Sequence, residues 1–331
     1  MEQYLSNYKG KSILITGGAG CIGSNLTKAL LKAEAAKIIT LDDLSAAEKW
    51  NIPVAPDVIF IEGSILDDEV LKRAFSQKLD FVFHLAAHFA NQNSVDNPET
   101  DLLVNGQGTL KVLEYSHLTK AGKFVFASSG CSVYGSQAPL PLKEDFVSLH
   151  LDTPYQITKL LGELYCNFFH NYYGLPIVMC RYFNVYGPGE VPGRYRNVIP
   201  NFIYWASHKQ PLPITGTGKE TRDFTFVEDI VDGTLRAGVT PGAVGEAFNL
   251  ASEIETKVID VANMVNQLTG NKGINFVERR DWDRITRRRA SIEKATRILG
   301  YKPKTDMKTG IKKAHDWFLD NRDRIEMSAK F

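Results

Sequence analysis

In the first half of the chain, short apolar runs alternate with amphipathic stretches of helical spacing. The runs near 12–16, 37–41, 57–61, 80–86 and 123–128 predict strands, and the stretches near 22–33, 67–77, 100–120 and 154–173 predict helices. That alternation predicts an α/β fold built on a doubly wound parallel sheet, in which ligands sit beyond the carboxyl ends of the strands. Those ends are Thr16-Gly17, Asp42-Asp43, Gly63-Ser64, Leu85-Ala86-Ala87 and Ser128-Ser129-Gly130, all small or polar as a bound cofactor requires.

Beyond about residue 185 the pattern loosens. Tyr186-Gly187-Pro188-Gly189 and Val191-Pro192-Gly193 mark irregular chain, followed by helical segments near 197–208, 228–238, 256–269, 291–298 and 307–321. Residues 1–185 are therefore expected to form the nucleotide-binding domain and 186–331 a smaller α/β lobe. Phe224–Val227 and Ala247–Leu250 have the composition to rejoin the main sheet.

The first strand-to-helix turn carries the clearest chemistry. Gly17, Gly20 and Gly23 follow the apolar run Ile13-Leu14-Ile15 and open the helix that contains Cys21 and Ile22. Residues without a Cβ let the backbone approach a diphosphate, whose charge then meets the unpaired N–H groups of the new helix. Asp42 closes the next strand, 19 residues after Gly23. A carboxylate there suits a ribose diol and repels a 2′-phosphate, which favours NAD over NADP.

Composition narrows the partners. The 331 residues are 44% hydrophobic, and 39 basic against 38 acidic side chains leave a formal net charge of +1, so neither nucleic acid nor an anionic membrane is indicated. The start Met1-Glu2-Gln3-Tyr4-Leu5-Ser6 lacks the basic end and apolar core of a signal peptide, and a cytoplasmic address is expected. Cys21, Cys131, Cys166 and Cys180 show no paired spacing and read as reduced thiols. His84 and His88 flank a strand end with no third ligand in register, so no metal is expected. The run Arg287-Arg288-Arg289 reads as a solvated basic face.

Pro154 predicts a helix start, and Tyr155 and Lys159 then share one helical face at i, i+4. A tyrosine titrates near 10, and acting as a base at neutral pH needs roughly 4 kcal/mol of preferential phenolate stabilisation. A lysine ammonium and an oxidised nicotinamide can supply it.

The chain resembles the extended short-chain dehydrogenases/reductases, and within them the NAD-dependent nucleotide-sugar epimerase, dehydratase and decarboxylase group. The resemblance spans about Lys11 to Trp317. It rests on Thr16-Gly-Gly-Ala-Gly-Cys-Ile-Gly23, His84-Leu-Ala-Ala87, Asn105, Ser128-Ser-Gly-Cys-Ser-Val-Tyr-Gly135, Tyr155-x-x-x-Lys159, Arg181-Tyr-Phe-Asn-Val-Tyr-Gly-Pro188 and Thr221-Arg-Asp-Phe-Thr-Phe-Val-Glu-Asp229. It implies a Rossmann-type sheet with a C-terminal substrate lobe, bound NAD and a homodimer.

The resemblance also implies roles. Tyr155 and Lys159 are the catalytic pair, with Ser129 or Ser132 as the candidate hydroxyl donor beside them. NAD is expected against Gly17, Gly20, Cys21, Ile22 and Gly23, then Asp42, Asp43 and Ser45, then Gly63, Ser64 and Ile65. Leu85, Ala86, Ala87, Asn105, Ser128, Tyr155, Lys159 and Tyr182 complete the cofactor set. Asn184, Asn197, Arg222, Arg280 and Asp283 are expected to bind the nucleotide sugar.

Two positions depart from the family pattern. Gly130 stands where a serine or threonine usually donates to the sugar, so Ser129, Ser132 or a water must replace it. Ser64 stands where an acidic residue commonly faces adenine. Gly130, Cys131 and Ser132 also lack the carboxylates that dehydratases and decarboxylases of the group carry there. What remains is 4-epimerisation, most simply of a UDP-linked hexose, hexosamine or uronic acid. The alternatives are a dehydratase or decarboxylase with unusual donors, or a protein that kept the fold and lost the chemistry.

Overall fold

A computed structural model describes residues 2–331. Its main sheet contains β1 (Ser12–Thr16), β2 (Lys37–Asp42), β3 (Val58–Glu62), β4 (Phe81–His84), β5 (Lys123–Ser129), β6 (Ile177–Tyr182) and a last strand, Ala247–Leu250. All are parallel, and across the sheet the order is Ala247–Leu250, β6, β5, β4, β1, β2, β3.

Both faces of this sheet are covered, which is why its strands read as apolar runs and not as alternating ones. Ile13 and Ile15 of β1 enter one core with Phe83 and Val125, while Leu14 enters a second core with Val82, Phe124 and Phe126. The strand order reverses between β1 and β4, and a crevice opens there at the carboxyl ends.

Helix α1 (Cys21–Lys32) follows β1, α2 (Asp68–Ala74) follows β3, and α3 (Asn91–Asp96) and α4 (Pro98–Asp101) follow β4. The helix expected over 100–120 is not continuous. After α4 the chain widens into a π turn over Leu102–Gly108, and only then comes α5 (Thr109–Leu118). Helix α6 (Pro154–Tyr173) has its expected start, with Pro154 in the first turn and the Thr153 side chain accepting from the Gln156 N–H, and it ends at Gly174 in the left-handed conformation.

The apolar-run reading passed over β6, whose short run Ile-Val-Met-Cys is followed at once by the charge of Arg181, and α3, whose Asn-Gln-Asn-Ser-Val-Asp has no helical periodicity. Of the two later segments, Ala247–Leu250 pairs with β6 inside the sheet. Thr225–Phe226 instead pairs with Val185–Tyr186 outside it.

The second lobe gathers the helices Val198–Ser207, Val258–Thr269 and Met307–Asp320 around a parallel pair, Leu212–Thr215 with Ile274–Val277. Its core is continuous with that of the sheet: Ile199, Ile311 and Phe318 belong to the same buried cluster as Ile13. No described helix is long and apolar enough to cross a membrane.

Candidate active site

A cleft of about 650 Å3 lies over the switch between β1 and β4. Its walls hold Gly17, Gly20, Cys21, Ile22 and Gly23 of the first turn, Asp42, Asp43 and Ser45 after β2, and Gly63 and Ile65 after β3. Leu85, Ala86, Ala87, Ser128, Tyr155, Lys159 and Tyr182 line the same space. Ser64 and Asn105 stand behind the wall. Ser64 Oγ accepts from the Leu66 N–H at 3.2 Å. Asn105 grips both backbone groups of His88, accepting from its N–H at 2.8 Å and donating to its carbonyl at 3.2 Å, and so shapes the loop after β4 from outside.

The three glycines of the first turn have different reasons to be glycine. Gly17 has φ +72°, and a Cβ there would lie 2.7 Å from the Ala86 nitrogen; a Cβ on Gly23 would run into the Gly17 carbonyl. Packing demands both. A Cβ on Gly20 would meet only the Gly17 oxygen, at 3.4 Å, so the protein leaves that room free on the cleft side. Gly20 is also the N-cap of α1 and makes no side-chain cap bond, which leaves the first N–H groups of the helix available to an anion. Asp42 is held by the N–H groups of Ala19 at 3.0 Å and Leu44 at 2.9 Å, one on each oxygen. Each oxygen keeps a lone pair for a diol. A dinucleotide fits these groups.

At the other end of the cleft, α6 presents Tyr155 and Lys159. The Lys159 Nζ lies 5.7 Å from the centroid of the Tyr155 ring and donates to the Ala127 carbonyl at 2.8 Å. Burial pulls the Lys159 ammonium down to about 8. Burial first, then the Asp101 carboxylate, holds the Tyr155 phenol well above its ordinary value. By themselves the protein groups keep Tyr155 protonated, so its activation as a base requires a further positive charge in the cleft.

The three serines of the β5 end have separate partners. Ser128 donates to Glu163 at 2.5 Å, and Glu163 is in turn clamped by Arg181 at 2.9 and 2.8 Å. Ser132 is fully buried, off the cleft wall, and donates to Ser129 Oγ at 2.9 Å. Ser129 lines the cleft with its own hydroxyl proton uncommitted. Gly130 is glycine for a steric reason: a Cβ would overlap the buried ring of Phe183.

The basic run is not a uniformly solvated face. Exposure alternates along it: Arg287 and Arg289 are exposed while Arg288 is 2% exposed and donates to the Cys131 carbonyl at 2.8 Å, bracing the loop that carries the serines. His84 bridges two hydroxyls, Thr16 at 2.7 Å and Thr109 at 3.0 Å, and burial drives it down to about 3, so it is a neutral tie between β1, β4 and α5.

Of the residues expected at the nucleotide sugar, Asn184 and Asn197 line the cleft. Arg222 and Asp283 lie outside its wall and pair with each other at 3.3 Å. Arg280 sits over Trp282, whose indole N–H donates to Gln92 of α3 at 2.8 Å. Sequence reasoning overlooked Asn51, Glu190 and Arg196, which also form the wall. Glu190 Oε1 accepts from the Asn197 side chain at 2.8 Å and from its N–H at 3.3 Å, while Oε2 is buried without a partner among the described residues; burial pushes this carboxyl up to about 7. Nothing in local sequence marks Glu190 and Arg196, because the irregular segment 187–197 has no periodicity from which to read its path.

Residues 13–251 match the model of the NAD dependent epimerase/dehydratase family. A putative UDP-glucose 4-epimerase of Methanocaldococcus jannaschii is 34% identical over 309 residues, 93% of this chain and 99% of the relative. An epimerase of Methanothermobacter thermautotrophicus superposes with a TM-score of 0.98 at 58% identity, covering 99% of this chain and 98% of its own. A Bordetella bronchiseptica enzyme solved with NAD+ and UDP gives 0.85 at 37% identity, over 97% and 96% of the two chains. With its glycine cradle, its buried tyrosine and lysine and this match across most of its length, the chain belongs to the NAD-dependent epimerase/dehydratase family.

Proposed function

We infer that the protein is an NAD-dependent nucleotide-sugar 4-epimerase acting on a UDP-linked hexose, hexosamine or uronic acid. The observation that carries this reading is a single cleft holding the glycine cradle, Tyr155, Lys159 and Ser129, bordered by a 130–132 loop without a carboxylate. Elimination or decarboxylation needs acid–base groups beside the sugar that this loop does not offer. The UDP bound by the Bordetella relative supports the choice of nucleotide.

When bound, NAD supplies the hydride acceptor that transient oxidation at C4 requires and the hydride that is returned to the opposite face. Tyr155 takes the C4 hydroxyl proton and gives it back. Lys159, buried beside the phenol, stabilises the phenolate. Ser129 donates to the C4 oxygen, its rotamer set by the Ser132 hydroxyl that donates to it. Asn184 and Asn197 hold the nucleotide sugar from the second-lobe side. Purified protein incubated with UDP-, dTDP-, GDP- and CDP-sugars and no added reductant should interconvert C4 epimers of a UDP-sugar by proton NMR. Tyr155→Phe should lower kcat by a factor on the order of 10² or more. If no sugar in the panel yields an epimer, the reading fails.

A homodimer is part of the proposal. Ile157, Leu164, Phe168 and Tyr172 recur along α6 and are 48 to 73% exposed, beside exposed Leu102 and Leu103. That apolar stripe supports self-association, and Phe168→Glu should convert the dimer to a monomer by light scattering. A cytoplasmic address, proposed from the four free thiols, is checked by cell fractionation.

A further inference from the structure

We propose that Arg196, supplied by the second lobe, is a ligand of the NAD diphosphate and fastens the segment 187–197 over the bound cofactor. The proposal rests on the family's use of NAD, not on which sugar is turned over.

Among the described residues, the lysine and arginine side chains that line the cleft are Lys159 and Arg196. Lys159 stands beside Tyr155 and is bonded to Ala127. A diphosphate seated on the first turn therefore has one other cation to meet. Arg196 shares the wall with Gly17, Gly20, Cys21 and Asp42. Among the described residues it is in no ion pair, and burial lowers its pKa against the opposing pull of Glu190. Of its five N–H donors one is used, by Nη2, on the carbonyl of Ala46 in the loop after β2. A half-buried guanidinium whose remaining donors face the cleft can receive an anion, and its planar fork suits two phosphate oxygens.

The chain around Arg196 brings it there. The segment begins hard against the N-terminus of α1: the Asn25 side chain donates to the Pro188 carbonyl at 2.7 Å, Asn51 donates to the Gly189 carbonyl at 2.8 Å, and a Cβ on Gly189 would lie 3.3 Å from Cys21 Cα. Farther along, the Tyr195 hydroxyl donates to Asp96 of α3 at 2.8 Å. Arg196 then reaches back across the cleft to Ala46. The segment thus crosses from the helix end that faces the diphosphate to the sugar side, and the cofactor leaves only after this crossing opens.

The test uses purified holoprotein and its Arg196→Ala, Arg196→Gln and Arg196→Lys variants. Bound NAD is measured after gel filtration, and its release rate after dilution into an NAD scavenger. Arg196→Ala and Arg196→Gln should release NAD at least about tenfold faster, with Arg196→Lys in between because a point charge replaces a fork. On stripped protein, ADP should lose affinity in the Ala variant by a similar factor while adenosine does not. Release within twofold of the parent overturns the proposal, and so does an equal loss for adenosine and ADP, which would mean a disturbed wall and not a lost phosphate contact. Stripped parent and Gln variant with matching circular dichroism exclude misfolding. Because no sugar is present, an inactive parent that still shows the Arg196 effect would defeat the 4-epimerase reading and leave this one intact, and the converse result would do the opposite.

Discussion

At single positions, chemistry and space compete, and at Gly130 space wins. The family habit is a hydroxyl at this position, yet the ring of Phe183 fills the volume a side chain needs. Gly130→Ser should therefore lower stability by about 1–3 kcal/mol, the usual range for overpacking a rigid site, and should not raise kcat. Chemical denaturation and epimer assays on the same sample check both parts, and a more active variant of unchanged stability would overturn the steric account. Glu190 is a different kind of constraint. Its folded carboxyl is raised to about 7 by burial from a reference value of 4.5. The folded state thus binds that proton more tightly than the unfolded one. Stability from this group is fully present below the reference value, declines as pH rises through that window and is gone above about 7, a change on the order of 3 kcal/mol. Glu190→Gln keeps an acceptor for Asn197 and removes the titration. On stripped protein its Tm relative to the parent should rise between about pH 5 and about pH 8, and a difference independent of pH would refute the assignment.

Among the elements, α6 does the most to build the site. Tyr155 and Lys159 face the cleft, and Glu163, one turn further on, enters the buried pair with Arg181 that also fixes Ser128. Arg181 continues to Tyr134 at 2.9 Å, and Tyr134 to Asn249 at 2.7 Å, so β5, α6, β6 and the last strand are joined beneath the catalytic loop. Removing one partner strands the other charge: Glu163→Ala should cost about 3–5 kcal/mol of unfolding free energy. A loss below about 1 kcal/mol, the level of an exposed pair, would show that the pair is not the tie it looks to be. The helix itself was legible from Thr153-Pro154 and its periodicity. Strand β6 was not, because its short apolar run ends on the charge of Arg181, whose partner Glu163 lies on another element. Arg288 was hidden for a related reason: a run of three arginines has no visible inside until the carbonyl it meets, that of Cys131, is placed beside it.

Across the whole molecule, the cleft is walled by two lobes that already share a core. The glycine turn, Asp42, Tyr155 and Lys159 come from the sheet side, whereas Asn184, Glu190, Arg196 and Asn197 come from its far edge and the segment beyond. Ligand that binds only the folded state stabilises it by mass action, by about 2.7 kcal/mol at an excess of about 100 Kd. Stripping NAD should accordingly lower Tm, and adding it back should restore the value in a concentration-dependent way; a Tm indifferent to NAD would contradict a dinucleotide held between the lobes.

The sequence by itself determined the parallel sheet, the glycine turn, the acidic end of β2 and the Tyr155–Lys159 helix face. These follow from local periodicity, from conformational demands such as the positive φ of Gly17, and from fixed helical spacing. Tertiary structure alone decided which serine faces the cleft, why residue 130 has no side chain, that Arg222 and Asp283 face each other, and that Arg196 crosses to Ala46. Those outcomes depend on contacts between residues up to 150 positions apart, set by close packing and by the need to pair buried polar groups. No local pattern along the chain encodes such distances.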